Sequence, residues 1–262
     1  MPLLADSHVH LDDARFDPDR PAALERARAA GVSLQVIPGT DAASWPRIHA
    51  LCADGRRLFP AYGMHPMFMH RHHSNDLAAL SHWLKTQRPV AVGEIGLDFH
   101  EESHDAQGQR DYFQQQLALA RDFDLPVILH ARAALDEVTT TLRRAGGLRG
   151  VVHSFSGSQE QAEQLWKLGF HLGIGGPVTY ERAQRLRRIV ASMPIEYLLL
   201  ESDAPDQPGA AHRGERNEPS YLTDTLQVIA ELRGEDPKDV AAATTANVLR
   251  LFGISTDPTL TH

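Results

Sequence analysis

The chain has 262 residues, 42% of them hydrophobic, which is enough apolar material for a sizeable core and excludes disorder for most of its length. No apolar run approaches the roughly 20 residues that span a bilayer, and the formal net charge of −8 argues against a broad basic face for nucleic acid. The single cysteine excludes an internal disulfide framework and a thiolate-rich zinc site.

Short apolar runs, polar or Gly-rich breaks and helix-like segments alternate along the chain. The apolar runs cover residues 2–5, 32–38, 58–63, 90–95, 126–129, 150–152, 170–174 and 197–200. Amphipathic stretches lie between them, such as PAALERARAAG, QRDYFQQQLALARDFD, SQEQAEQLWKLG and YERAQRLRRIVASM. The runs recur at about the length of a βα repeat. Eight such units predict an α/β protein folded as a parallel (β/α)8 TIM barrel.

The later part of the chain contains one long irregular segment. Residues 203–220, DAPDQPGAAHRGERNEPS, are rich in Pro, Gly and charge, and a loop of this length in a compact domain is usually functional or disordered. Terminal helices are predicted over 221–233 and 237–252. Nothing in the middle resembles an interdomain linker, so we expect a single domain over 1–262, with a frayed tail from about residue 254.

Side chains that bind metals recur at the ends of the predicted strands. Active-site groups of a parallel barrel come from these carboxyl ends and the loops that follow them. One isolated histidine there would more often be structural, but the coincidence of several favours a functional site. The residues concerned are His8, His10, His65, Glu94, His130, His153 and Asp203.

The types of these residues indicate a hydrolytic metal site. His8 and His10 are two apart on a predicted strand, so their imidazoles point to the same face. Imidazoles and carboxylates suit Zn, Mn and other divalent ions, and the lack of thiolate ligands leaves room for a bound water. Four histidines with Glu94 and Asp203 exceed the needs of one tetrahedral ion. We therefore predict two ions, with Glu94 as the bridging carboxylate.

The motifs together resemble the TatD family of metal-dependent deoxyribonucleases, in the amidohydrolase superfamily. They occur in family order over nearly the whole chain, and GIGGPVTYERA is particularly similar to the YjjV-like branch. The matching pieces are DSHVHL, GMHP, VGEIGLD, LPVILHAR, VVHSFSG, LLLESDAP and RNEP. The family often has Thr where this chain has Ser202 and Ser where it has Ala131, and the second difference removes a hydroxyl beside His130.

The resemblance implies a role for each site residue. One ion would be held by His8, His10, Glu94 and Asp203, and the other by Glu94, His130 and His153. Asp203 would also be the general base, and the substrate phosphate would lie near His65, Arg132 and Ser154. On physical grounds, we expect three further carboxylates to orient the imidazoles by hydrogen bonding: Asp6, Asp98 and Glu201.

The resulting hypothesis is a hydrolase that cleaves phosphodiesters in DNA, of the 3′–5′ exonuclease type, with Zn, Mn, Mg or Co as cofactor. One alternative is hydrolysis of a small amide, ester or lactone, which needs no basic surface. A second alternative is a metal-loaded binding protein without turnover.

We interpret the local basic patch at Arg182, Arg185, Arg187 and Arg188 as an exposed helix face. We expect a cytoplasmic monomer with no membrane contact and no stable protein partner.

Overall fold

The computed structural model describes residues 3–53, 57–100 and 105–255. Within these ranges, eight parallel strands form one sheet in chain order, each at one of the predicted apolar runs. Residue 2, where the first run begins, lies outside the described residues. The strands are β1 Leu4–Asp6, β2 Val32–Pro38, β3 Leu58–Tyr62, β4 Ala91–Asp98, β5 Val127–Arg132, β6 Gly150–Val152, β7 Phe170–Ile174 and β8 Leu198–Leu200.

The two edges of this sheet meet. Just beyond β1, the backbone N–H of Ser7 donates to the carbonyl of Leu200 in β8 at 2.9 Å. One step further on, the N–H of Asp203 donates to the carbonyl of His8 at 2.9 Å. The prediction of a (β/α)8 barrel in a single domain is confirmed.

Helices alternate with the strands and pack around the barrel. In the described residues they are α1 Arg20–Ala29, α2 Trp45–Cys52, α3 Asp76–Gln87, α4 Ala106–Asp122, α5 Leu135–Ala145, α6 Gln159–Lys167, α7 Gln184–Ser192, α8 Leu222–Arg233 and α9 Pro237–Phe252. Helix α7 begins four residues later than the predicted stretch YERAQRLRRIVASM. The Tyr180 hydroxyl donates to the carbonyl of Pro208, which holds residues 180–183 in a turn against a neighbouring loop. None of these described helices is both long and apolar enough to cross a membrane.

The final helix closes one end of the barrel. The barrel interior contains small and branched residues, such as Ala5, Val36 and Ile128, and α9 packs against them. Thr245 donates to the carbonyl of Leu3, before β1, and Asn247 donates to the carbonyl of Leu198, where β8 begins. Helix α9 therefore covers the amino-terminal ends of the strands and leaves the carboxyl ends accessible.

The chain stays ordered slightly beyond the predicted start of the frayed tail. Ile254 is only 8% exposed and belongs to the cluster that fills the barrel interior. Its backbone N–H donates to the carbonyl of Leu249 at 2.9 Å. The rest of the predicted tail, residues 256–262, lies outside the described residues.

The predicted long loop over 203–220 is packed against the barrel. Asn217 is buried, and its side-chain amide donates to the carbonyls of Ser202 and Asp206 at 2.7 and 2.8 Å. Arg216 forms ion pairs with Asp19 and Glu218, which connect the loop to the N-terminal end of α1. Since these bonds hold both the start and the end of the loop, the residues near Asp203 have a fixed path.

Candidate metal centre

Four ligand atoms that are far apart in the sequence meet just beyond β1 and β8 and beside the middle of β4. His8 and His10 lie just beyond β1, and their Nε2 atoms are 3.1 Å apart. These two nitrogens lie 3.2 and 3.5 Å from Oε2 of Glu94. They lie 3.6 and 3.8 Å from Oδ1 of Asp203. The first predicted ligand set is therefore brought together.

A second group surrounds the other carboxylate oxygen of Glu94. Oε1 lies 2.8 Å from Nε2 of His153, 3.0 Å from Nδ1 of His130 and 2.9 Å from Nε2 of His65. Nδ1 of His130 and Nε2 of His153 are 3.4 Å apart. Glu94 thus presents one oxygen to each group, which is the placement that a bridging carboxylate requires.

The distances in the first group fit a divalent cation. Ligand bonds of 2.0–2.2 Å in a tetrahedron separate the ligand atoms by about 3.4 Å, and the five separations given above range from 3.1 to 3.8 Å. Ligand atoms of His8, His10 and Glu94 all lie within 4.8 Å of one another. In the second group, the separations among Oε1 of Glu94, Nδ1 of His130 and Nε2 of His153 are 2.8, 3.0 and 3.4 Å. The donor types and spacing therefore fit one cation on each side of Glu94.

The electrostatics of the centre favour a bound positive charge. Burial alone would lower the pKa of His153, but the adjacent Glu94 carboxylate raises it to about 10. The pKa of His10 rises to about 9 because the same carboxylate outweighs burial. Burial and then the charge of His153 lower the pKa of His8, whose ring stacks on that of His153 with centroids 3.9 Å apart. Buried anionic oxygens thus face nitrogens that carry either protons or a cation.

Hydrogen bonds fix the tautomers of two further histidines. Nε2 of His130 lies 2.8 Å from Oδ2 of Asp98, so this nitrogen carries the proton and Nδ1 faces Glu94. Nδ1 of His65 accepts from the backbone N–H of Met67 at 3.1 Å. Nε2 of His65 therefore carries a proton and donates to Glu94. In this tautomer His65 holds the carboxylate in place, whereas the resemblance implied a position near the substrate phosphate.

Asp6 and Glu201 contact the backbone where we had expected contacts with imidazoles. Asp6 accepts from the backbone N–H groups of His8 and Ser202 and from the Ser202 hydroxyl. Glu201 accepts from the N–H of Ser154 at 2.5 Å, and its Oε1 is 3.8 Å from Nδ1 of His153, beyond hydrogen-bond distance. Both carboxylates position the chain that carries a ligand rather than the ligand's ring.

Gln207 is a site residue that sequence reasoning missed. Its side-chain amide donates to Oδ2 of Asp203 at 2.5 Å and also bonds the Ser154 hydroxyl. Both oxygens of Asp203 are therefore placed, with Oδ1 towards His8 and His10 and Oδ2 towards Gln207. In the sequence, Gln207 lies four residues after Asp203 in an irregular loop, and no motif there indicates that its side chain contacts this carboxylate.

The remaining predicted substrate residues line the cleft above the centre. This cleft has a volume of about 1400 Å³ and includes His65, Arg132 and Ser154 in its walls. Arg132 is exposed at the end of β5, whereas the Ser154 hydroxyl is engaged with Gln207. Arg132 is thus accessible to a ligand, and Ser154 is placed to support the loop that carries Asp203.

A parallel barrel whose strand ends bring together imidazoles and carboxylates belongs to the class of metal-dependent barrel hydrolases. A family model, TatD related DNase, matches residues 5–253. The chain therefore belongs to the TatD family, as the motifs indicated, and is a metal-dependent hydrolase.

Two relatives, one of which has a solved structure, show how far the similarity extends. The uncharacterized metal-dependent hydrolase YjjV of Escherichia coli is 40% identical over 253 residues, which covers 95% of this chain and 97% of that protein. The crystal structure of the E. coli YjjV protein superposes with a TM-score of 0.93 at 38% identity and covers 96% of this chain and 98% of that one. The 3′-5′ ssDNA/RNA exonuclease TatD of Erwinia tasmaniensis is 35% identical and covers 95% of this chain and 99% of that protein.

Proposed function

We propose that this hydrolase cleaves phosphodiester bonds in single-stranded nucleic acid, from the 3′ end, with two divalent cations. The observation that carries the proposal is the convergence of four imidazoles on the two oxygens of Glu94, with Asp203 against the first pair. The direction of cleavage, from the 3′ end, and the single-stranded nucleic-acid substrate are taken from the name of the Erwinia tasmaniensis relative. The family match supports the transfer of both to this chain.

Each cation has its own set of ligands in this proposal. His8, His10 and Asp203 would hold one, His130 and His153 the other, and Glu94 would bridge them. Zn, Mn, Mg and Co all remain candidates. When bound, two divalent cations polarise the phosphoryl oxygens and make a water nucleophilic near neutral pH.

Asp203 is the proposed general base. Burial raises the pKa of its carboxyl group, which makes it a better proton acceptor than an exposed aspartate. The amide of Gln207 fixes Oδ2, so Oδ1 faces the two imidazoles and the cleft. The carboxylate would take the proton of the attacking water.

The proposed activity is tested with purified, chelator-treated protein and single-stranded DNA labelled at either end. Addition of Mg, Mn, Co or Zn should restore cleavage, and the 5′-labelled strand should shorten progressively. D203N, assayed at metal concentrations that fill both sites, should lower turnover at least about 100-fold, whereas D111N, at an exposed position on α4, should match the wild type. Full turnover of D203N with filled metal sites would exclude the proposed base.

The same assay separates the two alternatives. A panel of amides, esters and lactones, incubated in parallel, would reveal the small-substrate hydrolase if those compounds turn over and DNA does not. If neither class is hydrolysed with any of the four metals, the metal-loaded binding protein becomes the better description.

A further inference from the structure

Several arginines lie in the walls of the cleft, beside its carboxylates, although the chain carries a net charge of −8. The cleft volume of about 1400 Å³ exceeds the roughly 300–1,000 Å³ of a typical small-molecule site. A ligand longer than one phosphoester group therefore has room in it. Six arginines line this space: Arg15, Arg47, Arg71, Arg132, Arg182 and Arg185.

Three of these arginines are neutralised within the protein. Arg15 pairs with Asp13 and Asp206 at 2.8 and 2.7 Å. Arg47 pairs with Asp17, and Arg71 with Asp41. Among the residues that the structure describes, no carboxylate lies within ion-pair distance of the other three, Arg132, Arg182 and Arg185. Their charge is therefore available to an anionic ligand.

Arg182 and Arg185 are held against the two loops that follow β6 and β8. Arg185 donates to the carbonyl of Ser156 at 2.7 Å, in the loop that begins at His153. The guanidinium of Arg182 lies over the ring of Tyr180, 5.2 Å from its centroid. Because the Tyr180 hydroxyl donates to the carbonyl of Pro208 at 3.0 Å, this ring is fixed to the loop that follows β8.

The segment that carries these arginines also packs directly on the loop after β8. A side chain at Gly176 would bring a Cβ atom within 2.4 Å of the Gln207 carbonyl, so only glycine permits the approach. The Thr179 hydroxyl accepts from the N–H of Ala210 at 2.7 Å. Arg182 and Arg185 therefore occupy defined positions on the Asp203 side of the cleft.

We propose that Arg182 and Arg185 form a subsite for a phosphate group other than the one that is cleaved. This inference rests on the proposed function, because it assigns a second contact to the same nucleic-acid strand. Arginine donates to phosphate through a planar fork of N–H groups, and such contacts fix the register of a strand. The substrate class is then a chain with at least two phosphates, which the exposed pair holds while the buried centre acts on its end.

The test compares two substrates of the same active site, a single-stranded oligodeoxynucleotide and bis(4-nitrophenyl) phosphate, which has one phosphate. For R182A/R185A, the ratio of kcat/KM for the oligonucleotide to that for the small diester should fall about 10-fold or more, mainly through KM. The slope of log(kcat/KM) against log[salt] should become shallower by about 1.4, since each contact to a single strand contributes about 0.7.

R143A/R188A is the matched control, because it removes the same charge from two exposed positions outside the walls of the cleft. An R182K/R185K variant keeps the charge but loses the fork, and should give an intermediate ratio. An equal loss in R182A/R185A and in R143A/R188A would overturn the subsite in favour of net charge. A parallel loss on both substrates, with an unchanged melting temperature, would also overturn it.

Failure of the arginine subsite can be distinguished from failure of the proposed function. If the wild-type protein hydrolyses the oligonucleotide and R182A/R185A keeps the same KM and salt slope, the subsite is wrong and the nuclease stands. If the wild-type protein hydrolyses neither phosphodiester with any of the four metals, the proposed function itself fails before the variants are compared.

Discussion

The contact between Asp98 and His130 allows a test of the second cation site without a change in any proposed ligand. Oδ2 of Asp98 lies 2.8 Å from Nε2 of His130, and Oδ1 accepts the backbone N–H of His100 at 2.9 Å. In D98N only one of these two donors would meet an oxygen, and the other would face an amide N–H. We expect the ring of His130 to favour the other tautomer, with its proton on Nδ1, where it cannot bind a cation.

The expected loss of affinity for the second cation follows from the hydrogen bond between Asp98 and His130 that D98N removes. A hydrogen bond to a charged partner contributes about 1.5–3 kcal/mol. A factor of ten corresponds to about 1.4 kcal/mol, so the second cation should bind about 10 to 150 times more weakly. This range agrees with the effect of about 10- to 100-fold found for residues that orient metal-binding histidines. The first cation should bind with nearly unchanged affinity, because Asp98 contacts none of His8, His10 and Asp203.

The assay is titration of chelator-treated protein with Zn or Mn in the presence of a competing indicator, read as two binding steps. D111N serves as the control, since Asp111 is exposed on α4 and its carboxylate bonds only the Gln107 amide in the described part of the chain. Nitrogen NMR of the His130 ring in the metal-free protein reports the tautomer independently. If D98N retains both affinities within twofold and Nε2 of His130 stays protonated, the reasoning is refuted.

Two further variants test the supports of the site. Q207A should lower kcat about 10-fold with little change in KM, since it frees Oδ2 of Asp203 from a 2.5 Å bond; steady-state kinetics with metal content as control decide this. R216A should lower the free energy of unfolding by about 1–3 kcal/mol at pH 7, measured in urea. Burial would raise the pKa of Glu218, but Arg26 and Arg216 hold it below its usual value. The loss should therefore shrink as pH falls below about 4.3, where the unfolded-state carboxylate protonates.

The sequence allowed the barrel and the ligand types to be predicted because both depend on short-range pattern. Each strand contains a short apolar run, and a parallel barrel brings the polar residues at and beyond the carboxyl ends of such runs to one side. His153 directly follows Gly150–Val152, and Asp203 comes three residues after Leu198–Leu200. Their meeting at Glu94 then follows from topology.

The contacts around the ligands were not predictable in the same way. Gln207 reaches Asp203 only because the loop over 203–220 is held by Asn217 and Arg216, which bond residues distant in sequence. Asp6 lies two residues before His8, yet its carboxylate bonds the backbone of Ser202, 196 positions away. Proximity to a ligand in sequence identifies the strand end, but the direction of a side chain depends on the partner strand.

Backbone strain at the mouth of the cleft has the same origin as these long-range contacts. Ser154, Asp203 and Gln207 all adopt left-handed backbone conformations, with φ of 47°, 55° and 51°. Such conformations cost about 1–3 kcal/mol each for residues other than glycine and persist only where the surrounding structure imposes them. Here the three strained residues bond one another through the Gln207 amide. The packing of the barrel and of its closing helix α9 thus offsets the free-energy cost of these conformations. In return, the strained backbone holds the carboxylate of Asp203 towards the imidazoles.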